Sequence, residues 1–322
     1  MKYFFAPLEG VTGYIYRNAY ETFFGGVDKY FMPFISPTKN KGFTSRELND
    51  VIPEHNQKIP VIPQILTNNA EYFIYTVNEL IKFGYDEINL NLGCPSGTVV
   101  AKHKGSGFLS QRKELDEFLE DIFSKVSVKI SIKTRIGKDS PEEFYDLIEI
   151  FNKYPIEELI IHPRIQTDFY KNKPNIKVFD DALALSKNPV CYNGDIFNMG
   201  DYEKLTENHQ CLDKVMLGRG LIANPALIRE IKNDHRINKL ELEAFHDTIL
   251  GGYKEVLSGD KNVLFKMKEL WFYMIYMFAE SDKYAKKIRK TDRLSDYEVI
   301  ISNLFQELNI DETPLRGFKS HQ

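Results

Sequence analysis

Eight short β-rich runs recur along the first two thirds of the chain: YFFAPL, KYFMPFIS, IPVIPQIL, DEINLNL, VSVKISIKT, EELIIHP, PVCYN and DKVMLG. Between most of them lie amphipathic segments, at 69–83, 112–123, 141–154 and 176–186, whose apolar residues are spaced for a helix packed on a parallel strand. Strand–helix alternation repeated eight times in roughly 230 residues is what a (β/α)8 TIM barrel requires. A doubly wound open sheet is the competing α/β fold.

After the polar stretch KNDHRINK the strand signals stop. Segments 241–257, 263–280, 282–289 and 296–308 read as four helices, and LFKMKELWFYMIYM offers the apolar face of a small all-α bundle. The expected division is a barrel over residues 1–234 and a C-terminal helical domain over 235–322, with the tail LRGFKSHQ frayed. A chain of 322 residues with 43% hydrophobic content is long enough to bury both cores. Its longest apolar run, Leu270 to Ala279, falls short of the about 20 residues that cross a bilayer, so no membrane contact is expected. The N-terminus MKYFFAPLEG lacks the apolar stretch of a secretory signal, and three cysteines without a CxxC pair give no disulfide framework. Both features point to a reducing cytoplasm. His55, His103, His209, His235, His246 and His321 are scattered without ligand spacing, so no metal is expected.

In a barrel of this kind the reactive residues sit at the C-terminal ends of the strands, on the face built by the βα loops. The runs end in Pro7-Leu8-Glu9-Gly10, Gln64, Asn91 with Cys94, Lys133 with Arg135, His162 with Arg164, Asn193-Gly194-Asp195, and Gly218-Arg219-Gly220. Each ending alone has a structural explanation, but their convergence on one rim is hard to explain as packing. The last two loops carry the parts of a phosphate site, with glycine amides beside a helix N-terminus. GRGLIA also fits the dinucleotide fingerprint G-x-G-x-x-A, but no further strand follows it, which argues against an open-sheet nucleotide fold. Cys94 opens a long glycine-punctuated loop directly after a strand. That is the setting of a working thiol rather than core filler.

These residues resemble the tRNA-dihydrouridine synthases. APLEGVTGYIYR is similar to the family opening APM-x-GVTD-x-x-FR, and NLGCPSGTVVAKHKGSGFL to its N-x-GCP loop, while KTRIG, IHPR, NGDI and LGRG follow in family order. The likeness spans Phe5 to Pro225. It implies an FMN-dependent barrel with a helical tRNA-binding domain, refilled by NADPH, in which Cys94 is the proton donor. It further implies FMN contacts at Pro7, Leu8, Glu9, Gln64, Lys133, His162, Asn193, Gly194, Asp195, Gly218 and Arg219. Leu8 stands where the family usually has Met, Gly13 where it has Asp, and HPR where HGR is more frequent.

Chemistry agrees with that resemblance. Saturating the C5=C6 bond of uracil takes a hydride at C6 and a proton at C5; reduced flavin gives hydride, and a thiol with an ordinary pKa of about 8.5 is still protonated at pH 7. Asn91 has the paired donor and acceptor that read a uracil edge. Net charge is −4, from 42 Lys and Arg against 46 Asp and Glu, so RNA must be held by local patches. The expected contacts are Arg17, Lys102, Lys104, Arg135 and Arg164 on the rim, with Lys286, Lys287, Arg289 and Lys290 in the basic segment DKYAKKIRKTDR. Tyr14, Tyr16 and Tyr170 are candidates for stacking on bases. The competing functions are a flavin enzyme acting on a free dihydroorotate- or enone-type molecule, dihydrouridine formation in ribosomal RNA, and a non-catalytic RNA-binding barrel.

Overall fold

The computed structural model describes residues 1–232 and 235–311. Its strands are β1 (Lys2–Phe5), β2 (Lys29–Phe31), β3 (Val61–Ile62), β4 (Gln64–Ile65), β5 (Glu87–Leu92), β6 (Lys129–Arg135), β7 (Leu159–His162), β8 (Val190–Tyr192) and β9 (Lys214–Leu217). All pair in parallel, in the order β3-β2-β1-β9-β8-β7-β6-β5-β4. β3 and β4 are one run interrupted at Pro63, which has no N–H to give to a ladder. That run pairs with β2 on one side and β5 on the other, so the ring closes and the open sheet is excluded.

Alternation along the strands divides the barrel's contents. Phe4, Phe31, Ile62, Ile160, Cys191 and Met216 form one buried cluster, while their outward neighbours Phe5, Tyr30, Val61, Ile161, Tyr192 and Val215 belong to the larger core beneath the helices. Cys191 is therefore barrel filling, wholly buried. Amphipathic helices at Ala70–Lys82, Arg112–Lys125, Glu143–Phe151 and Ile176–Leu185 match the expected segments. Asn69 starts the first of them by accepting the N–H of Tyr72.

Among the described residues, four longer α-helices follow the barrel: Lys239–Val256, Asp260–Met274, Asp282–Lys290 and Leu294–Glu307. The second ends earlier than its apolar run, in a 3-10 turn over Ile275–Met277. Trp271 Nε1 donates to the Tyr297 hydroxyl at 2.7 Å, and His246 Nε2 lies 2.7 Å from the same oxygen, which locks the bundle core. The helix Lys239–Val256 packs on Tyr14–Phe23, where Phe245 meets Tyr16 edge-on at 5.6 Å and also meets Phe24, which ends that helix, at 5.0 Å. One continuous core thus runs from barrel to bundle. The expected boundary after residue 234 abuts residues 233–234, and the tail LRGFKSHQ, with His321, also lies outside the described residues. No helix among the described residues is long and apolar enough to cross a membrane, and none of them form a metal-binding group of His, Cys, Asp or Glu.

Candidate active site

A chain of buried amides fixes the thiol loop. Ser131 on β6 accepts from Asn89 at 3.0 Å, Asn89 accepts from Gln64 at 2.8 Å, and Gln64 accepts from Asn91 Nδ2 at 2.7 Å. Asn91 Oδ1 then accepts the main-chain N–H groups of Gly93 and Cys94, both at 3.0 Å. The far end of the loop is tied by Ser106, whose N–H and hydroxyl both donate to the Cys94 carbonyl, at 3.1 and 2.8 Å. Gly105 makes that approach possible: its φ is +55°, and a Cβ there would sit 2.8 Å from the Cys94 oxygen. Asn89 and Ser131 are not among the expected site residues, although the alternation of Asn89 and Asn91 in DEINLNL marks both as inward-facing.

The Cys94 thiol is half-buried. Burial pushes its pKa up, more than the N–H of Ser96 and the charges of Lys133 and Arg135 pull it down, and Glu9 adds to the rise. It therefore stays protonated at neutral pH. Lys133 is brought down to about 8, first by burial and then by Arg135.

Beside Lys133 opens a cleft lined by Pro7, Leu8, Lys133, His162, Tyr170, Asn193, Gly194, Asp195, Gly218 and Arg219. Nine of the eleven residues expected to hold flavin converge here. The other two do not: Gln64 is sealed in the amide chain, and Glu9 turns to the surface and pairs with Arg46. Arg164 grips both oxygens of Asp195, at 3.0 and 2.5 Å, and Arg219 meets one of them at 2.9 Å. The trio carries a net positive charge at this corner. Arg164 also lies 2.9 Å from His162 Nε2; a guanidinium only donates, so Nε2 accepts and the ring proton is on Nδ1. Burial, and then four neighbouring cations led by Arg135, keep His162 neutral by lowering its pKa well below the usual histidine range.

The donor set fits a flavin mononucleotide. The glycine-rich corner beside Arg219 suits a phosphate, and Lys133 and His162 offer donors to a ring edge. A Cβ on Gly218 would lie 3.3 Å from Ala6 and 3.6 Å from Leu8, closing the strip between them. The cleft is narrow, about 70 Å³, with the Arg219 guanidinium stacked 4.2 Å from the Tyr170 ring.

Three residues expected on the RNA-facing rim are instead wholly buried. Arg17 donates to Thr12 O, Asp50 O and Asn56 Oδ1. Arg135 donates to Gly93 O, Ile165 O and Phe169 O, at 2.8 to 3.0 Å. Arg164 holds Asn172 O as well as Asp195. Each guanidinium spends its fork on loop ends of its own chain, leaving no face for phosphate. Tyr16 is likewise core, and Tyr14 stacks on His55 at 4.1 Å. Asn91 has its oxygen and one amide hydrogen committed to the loop and Gln64. Lys102, Lys286, Lys287, Arg289 and Lys290 are exposed, and Lys104 is half-buried. Gly13 has a neighbour in place of an acidic side chain: Asp50 Oδ1 accepts the N–H of Tyr14 at 2.7 Å and lies 3.4 Å from a Gly13 Cβ.

A tRNA-dihydrouridine(16) synthase of Neisseria meningitidis serogroup B is 25% identical over 321 residues, covering 94% of this chain and 95% of that one. A probable tRNA-dihydrouridine synthase of Staphylococcus aureus is 26% identical over 320 residues, covering 95% and 94%. Among solved structures, the old yellow enzyme homologue of Zymomonas mobilis superposes with a TM-score of 0.53 at 10% identity, over 76% of this chain and 92% of that one, a likeness of barrel fold. The sequence profile described as dihydrouridine synthase matches residues 5–304, which take in the thiol loop, the lysine strand, the glycine corner and most of the helical region. The chain belongs to the dihydrouridine synthase family.

Proposed function

We propose that this protein reduces the C5=C6 bond of uridine in tRNA to 5,6-dihydrouridine, with FMN in the cleft and NADPH as the reductant. The observation that carries this is the Cys94 loop, fixed through its main chain by Asn91, with the thiol acted on by Lys133 at the wall of a cationic cleft. The tRNA named in both relatives supports the substrate class. Pro7, Leu8, Lys133, His162, Asn193, Gly194, Gly218 and Arg219 would hold the flavin, with Arg164 and Asp195 bracing Arg219. A reduced flavin supplies the hydride that C6 receives.

Cys94 gives its proton to C5 and is left as a thiolate. Lys133 and Arg135, whose charges already act on that sulfur, stabilise the anion until solvent returns a proton. Lys133 also faces the negative charge that develops on the uracil carbonyls. Its depressed pKa keeps a cation close to titration beside the reacting base.

The target base reaches the barrel mouth only when extruded from folded RNA, so the enzyme must also hold the backbone. The helix Asp282–Lys290 buries Tyr284 and Ile288 and turns Lys283, Lys286, Lys287, Arg289 and Lys290 to solvent. A free pyrimidine or enone substrate needs no such face. The test is to purify the protein, read its flavin absorbance, and incubate it with NADPH and tRNA lacking dihydrouridine. A gain of two mass units at a uridine is expected. A protein that binds no FMN, or tRNA of unchanged mass, overturns the proposal.

A further inference from the structure

A second cavity, of about 300 Å³, lies where the β1 loop, the helix Ser45–Val51 and the C-terminal helices meet. Its walls are mostly apolar, built by Ile15, Tyr253, Val256 and Leu257, and its rim carries Arg46, Asn49 and Lys266. An apolar slot with a few polar groups at its edge suits a flat ring with a polar margin. Nothing in the mechanism above uses it.

Its place relative to the cleft is set by three consecutive residues. Leu8 lines the flavin cleft, Gly10 lines this cavity, and Glu9 between them acts on the Cys94 thiol. Two residues of chain span at most about 7 Å, the scale of one nucleotide step. Glu9 is paired with Arg46, and both are exposed, so Arg46 can exchange that partner for a phosphate at little cost. Lys266 stands opposite, donating to Gly10 O at 2.5 Å with Glu269 3.6 Å away. Asp50, the other carboxylate at the wall, is committed to Tyr14 N–H and to Arg17 at 3.6 Å.

We infer that this cavity receives the base of the nucleotide adjoining the target uridine, with the phosphate between them held by Arg46 and Lys266. The inference rests on the proposed RNA substrate and deepens it: the enzyme selects a uridine by requiring that its neighbour be unstacked too. Base–aromatic and apolar contacts of this kind tolerate sequence, so the slot senses an unpaired neighbour more than its identity.

The test fills the slot. Asn49→Trp, with Ser45→Trp as a second filling variant, is assayed for dihydrouridine formation on tRNA, alongside flavin content and thermal midpoint. The expected result is an increase of about tenfold in KM for tRNA, with flavin content and midpoint as in the wild type. Arg46→Ala should raise KM as well and lower the salt slope of tRNA binding by about one. p-Benzoylphenylalanine placed at position 49 should cross-link to the nucleotide beside the modified uridine. A filled variant that folds and keeps the wild-type KM, or a cross-link to a remote nucleotide, overturns the inference while leaving the proposed function standing. Wild-type protein that makes no dihydrouridine overturns both.

Discussion

Asn91 Oδ1 accepts the main-chain N–H of Cys94 at 3.0 Å, so an amide three residues upstream holds the loop that carries the thiol. Replacing Asn91 with Ala frees that loop. Dihydrouridine formation should fall by about 10- to 100-fold, the cost of a misplaced acid. In a Cys211→Ser background, which removes the exposed cysteine, iodoacetamide should label Cys94 faster than in the wild type. Unchanged labelling and unchanged rate would remove the positioning role.

Lys133 should set the alkaline limit of the proposed reaction. Its pKa is lowered to about 8, whereas the Cys94 thiol is raised, so the cation is lost before the acid. Uridine reduction should decline as pH rises through about 8, and Lys133→Arg, charged across that range, should move the decline upward. A decline that stays near 8 in Lys133→Arg would assign it to another group.

The same shift predicts a stability cost. The folded pKa lies below the ordinary value of 10.5, so the unfolded chain binds more protons between pH 8 and 10.5, and stability rises with pH across that window. Below pH 8 the penalty is fully present. Lys133→Met should stabilise the flavin-free protein at pH 7 by about 2 kcal/mol while removing activity. A lower thermal midpoint for Lys133→Met would contradict this.

Arg17 is a structural cation. Truncating it to Ala leaves Asp50 without its cation and frees Thr12 O, at a cost of about 3 kcal/mol or more. The salt slope of tRNA binding, measured where the variant is folded, should not change. A slope reduced by about one would restore Arg17 to the RNA surface.

Residues Lys286, Lys287, Arg289 and Lys290 should behave in the opposite way. Changing all four to Ala should leave flavin reduction by NADPH and the thermal midpoint intact, and weaken tRNA binding by at least about tenfold at low salt. Equal affinity would place the backbone contacts elsewhere.

Much of this was legible before the fold. Eight strands, their polar ends and the glycine corner follow from local spacing, and Pro63 sits in plain view inside IPVIPQIL. Side-chain fate was not. Arg17, Arg135 and Arg164 read as surface charge because a sequence shows charge and not the loops that fold over it; Asp50 and Asn56, which enclose Arg17, lie 33 and 39 residues away. Glu9 and Gln64 stand at strand ends like the cleft residues, but one turns outward to Arg46 and the other inward to Asn89. The second cavity needs Gly10 beside Lys266, 256 residues apart, and no local pattern announces that.

The proposed proton donor to C5 is Cys94. Its most direct test is to follow the two halves of the reaction separately in Cys94→Ala. Flavin reduction by NADPH should keep its wild-type rate, while reoxidation of the reduced enzyme by tRNA should slow by at least about 100-fold. Reoxidation at the wild-type rate, or equal loss in both halves, would contradict the account.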